Sequence, residues 1–220
     1  MLQANNLIST NIPQLQLSDT VGKALSLMGD YEVLHLCITN ADTFLGIISK
    51  DDLLTTINEN TIATLQQLFT HNLVLETDHF SKALLQITEA QLSIIPVLNL
   101  QRHYIGVVEA TKLLHYLNHY IGANNQGAII ILEMETRNFS FSEISRLIET
   151  HDAQIVQLNT QANADTGMLQ ATLKLNKTEV ADIIATLQRF DYNILNYYGE
   201  EAYTNELQDN YSHLMHYLSL

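Results

Sequence analysis

The chain has 220 residues, 46% of them hydrophobic and 15% charged, and its 24 acidic against 10 basic side chains give a formal net charge of −14. The apolar share suffices for one large or two small packed cores, whereas the charge weighs against partners read through Lys and Arg, namely nucleic acid and anionic membrane surfaces. The lone cysteine, Cys37, excludes an internal disulfide and fits a reducing compartment.

Residues 1–11 lack the basic and apolar pattern of a secretory signal. The longest apolar run of the second half, Ala128 to Leu132, falls far short of the roughly 20 residues of a membrane span. A cytoplasmic protein is expected. From Ser18 the chain reads as an Asp-led amphipathic helix, with Val21, Ala24, Leu25 and Met28 at helical spacing. An apolar strand from Val33 to Ile38 follows, then a polar turn (Asn40-Ala-Asp42), a second strand from Phe44 to Ile48, and a helix carrying Leu53, Leu54 and Ile57.

That order recurs. Ser18-Asp-Thr-Val-Gly-Lys-Ala-Leu25 aligns with Thr77-Asp-His-Phe-Ser-Lys-Ala-Leu84 at an offset of 59, and Leu45-Gly-Ile-Ile48 with Ile105-Gly-Val-Val108 at an offset of 60. The second copy runs through strands from Leu92 to Leu98 and Tyr104 to Val108, with a turn between Asn99 and His103, to a helix with Leu113, Leu114 and Leu117. Short strands between helices indicate small sheets covered by helices.

These residues resemble tandem CBS domains, the paired regulatory modules named after cystathionine β-synthase. The marks are the strand that enters each copy, the separate Ile95-Pro96-Val97 strand, the Gly-hydrophobic-hydrophobic strand and the Ser49-Lys-Asp-Asp52 junction. The resemblance covers residues 1–122, in copies of about 1–60 and 61–122, and implies a compact pair whose clefts hold adenosine-containing ligands. It implies that Ser49 meets a phosphate and Asp52 the ribose hydroxyls, with Ile12, Lys50 and Arg102 as further ligand-binding residues. The chemistry agrees: N–H groups at a helix start favour a phosphate, and a carboxylate can accept from two adjacent hydroxyls. Ser-x-x-Asp at a helix start is equally an ordinary capping arrangement. In copy two the matching positions hold Glu109 and Lys112, which suit neither phosphate nor ribose. With only Lys50, Arg102 and Lys112 to offset charge, a monophosphate or nucleoside is expected over a triphosphate. AMP, ADP, ATP and S-adenosylmethionine are the ligands in view, with no firm cofactor.

Gly122-Ala-Asn-Asn-Gln-Gly127 is the one composition break and the expected domain boundary. Beyond it come a strand from Ala128, a capping box at Ser140-Phe-Ser-Glu143 before Ile144, Leu147 and Ile148, alternating runs from Ala153 to Gln161 and Met168 to Leu175, a helix from Thr178 to Arg189, and a last strand from Tyr192 to Tyr198. This βαββαβ order over residues 127–199 is ferredoxin-like. After a CBS pair it resembles an ACT domain, as in CBS–ACT proteins of the acetoin-utilisation type. The loop Thr136-Arg-Asn-Phe-Ser140 has no glycine and no Asp-x-x-Gly, which weighs against an amino-acid site and for a pairing module.

In residues 200–220, Tyr203, Leu207, Tyr211, Leu214 and Leu218 give one apolar helical stripe. His115 with His119, and His213 with His216, have metal-clamp spacing but no evident third ligand, so no metal is expected. No nucleophile, phosphate-loop or dinucleotide motif is present. The expectation is an α+β chain, a CBS pair followed by a ferredoxin-like ACT-type domain and a C-terminal helix, acting as a non-catalytic sensor. Its alternative is an oligomerisation or interaction scaffold with vestigial ligand sites. A homodimer, a small-molecule ligand and an unidentified regulated protein are the expected partners, with no nucleic acid and no membrane.

Overall fold

Thr20, not Asp19, caps the first helix, α1 (Val21–Asp30): its side chain accepts from Lys23 N at 3.3 Å. Asp19 lies one residue further out, accepting from Gln16 N at 2.8 Å and from Lys23 Nζ at 2.7 Å. These positions come from a computed structural model that describes residues 3–164 and 166–199. The chain divides into two units, Met1–Asn118 and His119–Leu220.

In the first unit α1 leads to the antiparallel hairpin of β1 (His35–Asn40) and β2 (Thr43–Ser49), then to α2 (Lys50–Leu54). A 3-10 stretch, Ile62–Leu68, crosses to the second copy: β3 (Val74–Leu75), α3 (Phe80–Glu89), β4 (Ile94–Leu98), β5 (Tyr104–Glu109) and α4 (Ala110–Tyr120). The repeat extends to backbone detail. A bulge interrupts β1 between Ile38 and Thr39 and β4 between Val97 and Leu98. Past α1 and α3, Glu32 and Gln91 both take left-handed φ values, 53° and 52°. The pair of donors at Asp19 recurs at Asp78, which accepts from Leu75 N at 2.8 Å and from Lys82 Nζ at 2.7 Å. Pro96 is tolerated inside β4 because β3 pairs only with Val97 and Leu98, so its missing N–H breaks no ladder bond on that side. Both copies feed one core, with Val21, Ala24 and Met28 of α1 and Phe80, Ala83 and Ile87 of α3 buried against the strands.

The lead-in segments are exchanged. Gln3 and Ser9, ahead of the first helix of copy one, bridge to His79 and Val107 of copy two. Thr61 and Thr70, ahead of the first helix of copy two, bridge to Thr20 and Ile47 of copy one. This exchange also corrects the expected helix through Ile57. The carbonyls of Asn58 and Asn60 accept from Gly22 N and Val21 N, filling the open donors at the start of α1. The chain must leave helical geometry to deliver them, so α2 stops at Leu54. Leu53 is buried, while Leu54 and Ile57 are 62% and 67% exposed.

The second unit holds β6 (Ile129–Glu135), α5 (Phe141–Glu149), β7 (Ile155–Ala162), β8 (Met168–Leu175), α6 (Ala181–Arg189) and β9 (Asn193–Tyr198). Its sheet is antiparallel in the order β7-β8-β6-β9, the ferredoxin-like arrangement. Ile130, Leu132 and Met134 of β6 and Leu169, Ala171 and Leu173 of β8 face the buried side chains of α5 (Ile144, Leu147, Ile148) and α6 (Ile183, Leu187). Ser140 caps α5 through Glu143 N, while the Glu143 carboxylate accepts from Tyr192 OH at 3.0 Å. The expected helix over residues 200–220 lies outside the described residues. Among the described residues no helix is long and apolar enough to cross a membrane.

Candidate functional site

At the end of β2 the ladder delivers Ser49 to the N-cap of α2, where its Oγ accepts from Asp52 N at 3.1 Å and donates to Asp52 Oδ2 at 2.5 Å. Both side chains are half-buried, as is Lys50 between them. Because α2 has only five residues, its dipole is weak, and any anion held at this junction depends on side-chain and hydroxyl donors. Thr70 runs alongside, with two backbone bonds to Ile47, two residues before Ser49. Thr70 is therefore the lead-in residue paired with this strand, with Phe69 beside Gly46, and the exchange that puts them there had no signal in residue types or spacing.

Ser49, Lys50 and Asp52 come together; the other two expected residues lie elsewhere. Ile12 is buried in the wall of a separate cavity of about 300 Å³, lined with Thr10, Pro13, Gln14, Asp42, Tyr104 and Gly106. The cause is the exchange of lead-ins: Ser9 pairs with Val107, and the chain passes so close that a Cβ on Gly106 would meet Ile8 Cγ2 at 2.6 Å and Ser9 O at 2.9 Å. Gly106 also holds φ at +144°, so only glycine serves there. Arg102 sits in the turn before β5 with φ at +67°, where its charge helps hold the Asp78 carboxyl below the usual range. Burial works against that shift at Asp78, and the bonds from Lys82 and Leu75 N outweigh it. Lys112 is engaged as well, donating to Ile8 O at 3.1 Å.

One polar residue of the junction is absent from the sequence reading. His35 is the cross-strand partner of Ser49. Its Nδ1 accepts from Ser93 N at 3.1 Å and lies 3.2 Å from Ser93 Oγ, while Leu34 N donates to that same Oγ at 3.0 Å. Ser93 of copy two thus ties the two copies together beside the junction. Burial pushes the His35 imidazole below its usual value, against the pull of Asp51 and Asp52. Counting back from the 41–42 turn pairs His35 with Ile48; the bulge between Ile38 and Thr39 moves its partner to Ser49, and the sequence carries no signal of that bulge. Cys37 is buried, its thiol pushed up by burial, and Tyr104 OH bonds to it. His115 and His119 are both exposed on α4, and among the described residues no three His, Cys, Asp or Glu side chains converge on one point.

Residues 4–59 match the family model of the CBS domain. No curated protein matches the chain. Among solved structures, the chain is similar to a CBS domain pair/ACT domain protein from Thermotoga maritima, at 22% identity and a TM-score of 0.49, over 54% of this chain and 98% of that one. It is similar also to CBSX2 in complex with AMP, at 18% identity and a TM-score of 0.47, over 55% and 98% of the two chains. A third is the CBS domains of a transcriptional regulator from Streptococcus pneumoniae, at 17% and 0.46, over 52% and 98%.

Proposed function

We propose that this chain, whose residues 4–59 carry a CBS domain, is a non-catalytic regulatory module that binds an adenosine-containing ligand at the Ser49–Asp52 junction. The observation that carries the reading is the hydroxyl–carboxylate pair at 2.5 Å inside the matched segment. Asp52 accepts a hydrogen bond from the Ser49 hydroxyl; a ribose diol offers two such donors and takes over that role. Ser49 Oγ–H is then released toward a phosphate, with Lys50 beside it for charge. A monophosphate suits so small a cationic complement, which makes AMP the first ligand to test.

Calorimetric titration of AMP checks the assignment. Asp52→Ala removes a charged acceptor and should weaken binding by about 1.5–3 kcal/mol. Lys112→Ala, at the copy-two junction, should change it far less. Equal losses at both positions, or AMP binding indifferent to Asp52→Ala, place the ligand elsewhere. A second reading, the oligomerisation scaffold, is favoured by the exposed leucine on α4, Leu114. It becomes the better one if neither AMP nor S-adenosylmethionine raises the melting temperature, since any ligand selective for the folded state must do so. In either reading the working form is a homodimer.

A further inference from the structure

On the face of the second unit's sheet turned away from α5 and α6, three cross-strand pairs stand in a row. Gln157 is opposite Lys174, Asn159 opposite Thr172, and Gln161 opposite Gln170. Same-face rungs are two residues apart, so the row extends for roughly 13 Å. The six side chains floor a cavity of about 400 Å³, whose wall at the Lys174 end is Ile129, cross-strand from Lys174, with Ile121 and Ala123 from the preceding segment. That volume suits a small molecule.

The lining is selective in its chemistry. It contains four primary amides, a hydroxyl and an ammonium, and no carboxylate, in a chain with 24 acidic residues. Glu133, cross-strand from Gln170, lies outside it. Lys174 is 8% exposed, and its ammonium donates to the carbonyl of Gly122. No described carboxylate pairs with it. A buried charge met only by a neutral carbonyl is costly, and an anion in the cavity would offset that cost. Each amide both donates and accepts, which is what hydroxyl groups require of their partners. The aliphatic wall suits the C–H side of a carbon chain.

We propose that this cavity binds a sugar acid, a small carboxylate with a run of hydroxyl groups. Its carboxylate pairs with Lys174 and its hydroxyls lie over the Asn159–Thr172 and Gln161–Gln170 rungs. The site is independent of the Ser49–Asp52 junction.

The test is a nitrogen-15 NMR titration of the full chain with gluconate, and with glucitol, which keeps its five hydroxyls and has a hydroxymethyl in place of the carboxylate. Gluconate should shift the side-chain amide signals of Gln157, Asn159, Gln161 and Gln170, and glucitol should bind at least about ten-fold more weakly, the loss of one charged hydrogen bond. Lys174→Met should abolish that preference. Because Lys174 also braces Gly122, Asn159→Leu on the exposed rung serves as a second variant and should weaken gluconate with the fold intact. No shift at these amides in millimolar gluconate, or equal binding of glucitol, overturns the proposal. So does finding the four amides protected from exchange until residues 200–220 are removed, or protected only at high protein concentration. Those results assign the face to the chain's own C-terminal segment or to a second copy.

Discussion

His35 is placed so that its ring nitrogen completes a bond between the two copies: Nδ1 accepts from Ser93 N and therefore must be unprotonated for that bond to exist. Burial lowers its proton affinity in the folded chain, with Asp51 and Asp52 opposing. The sign of the pH effect follows. Between the lowered folded value and the ordinary 6.5, the unfolded chain binds more protons than the folded one, so stability rises with pH across that window and falls on acidification through it. Asp19 and Asp78 act in a lower range: their folded values lie below 3.8 despite burial, because backbone N–H and lysine donors hold the carboxylates ionised. Their contribution is lost only as pH drops below the ordinary carboxylate value. Melting temperatures of wild type and His35→Asn between pH 5 and 7.5 should therefore diverge. The variant keeps an acceptor near the Nδ1 position and loses the titration, so its slope should be shallower. Parallel slopes would show that His35 contributes nothing to the acid limb.

The short helix α2 and its longer counterpart α4 show how far local sequence reaches. Both were expected from apolar residues at helical spacing, and Leu53 and Leu113 are indeed buried at matching places. What separates them is non-local, since Asn58 and Asn60 must reach the start of α1; the hydroxyls of Thr55 and Thr56, closing locally on Asp52 O at 2.9 and 3.2 Å, then end the turn. Substitutions there should separate sharply. Leu53→Ala should cost about 2–5 kcal/mol as a buried cavity, and Leu54→Ala should fall within about 0.5 kcal/mol of wild type. Urea midpoints measure both, and a large loss at Leu54 would restore the longer helix read from spacing. The strand order and the repeat were legible because period, turn residues and the recurring Lys-Ala-Leu and Gly-hydrophobic pairs are local. The exchange of lead-ins was not, since Ser9 finds Val107 and Thr70 finds Ile47 only through tertiary packing. That is why Ser49, Lys50 and Asp52 could be placed together from sequence while Ile12 could not be separated from them. In the second unit, the inward faces of α5, α6 and β8 followed from alternation and helical period. The amide row was readable only once the β7–β8 turn had set the register at Ala162 opposite Leu169; the bulge at Val156 lies past the row and displaces only the Ile155–Leu175 pair.

At the scale of the whole molecule, the question is what covers its outer apolar surface. Leu114 on α4 is 65% exposed, and Leu85 of α3 and Leu54 are likewise solvent-facing. The apolar residues expected in a stripe from Tyr203 to Leu218 lie outside the described residues. Single exposed leucines need no partner and contiguous apolar area does, so the association state tests whether these side chains work as one surface. A closed two-fold pairing covers the same patch on both copies and stops growth, whereas a heterologous contact would leave it open. A homodimer therefore accounts for the exposed side chains with one interface type. Light scattering at micromolar concentration should give about twice the 24.9 kDa chain mass. Leu114→Glu places a charge on a side chain that the monomer's own core does not need, so the fold should survive while the mass falls toward that of one chain. Deletion of residues 200–220 should weaken association separately. A wild-type chain that stays monomeric, or a Leu114→Glu variant that dimerises as before, removes α4 from the interface and leaves its exposed leucine as an isolated surface residue.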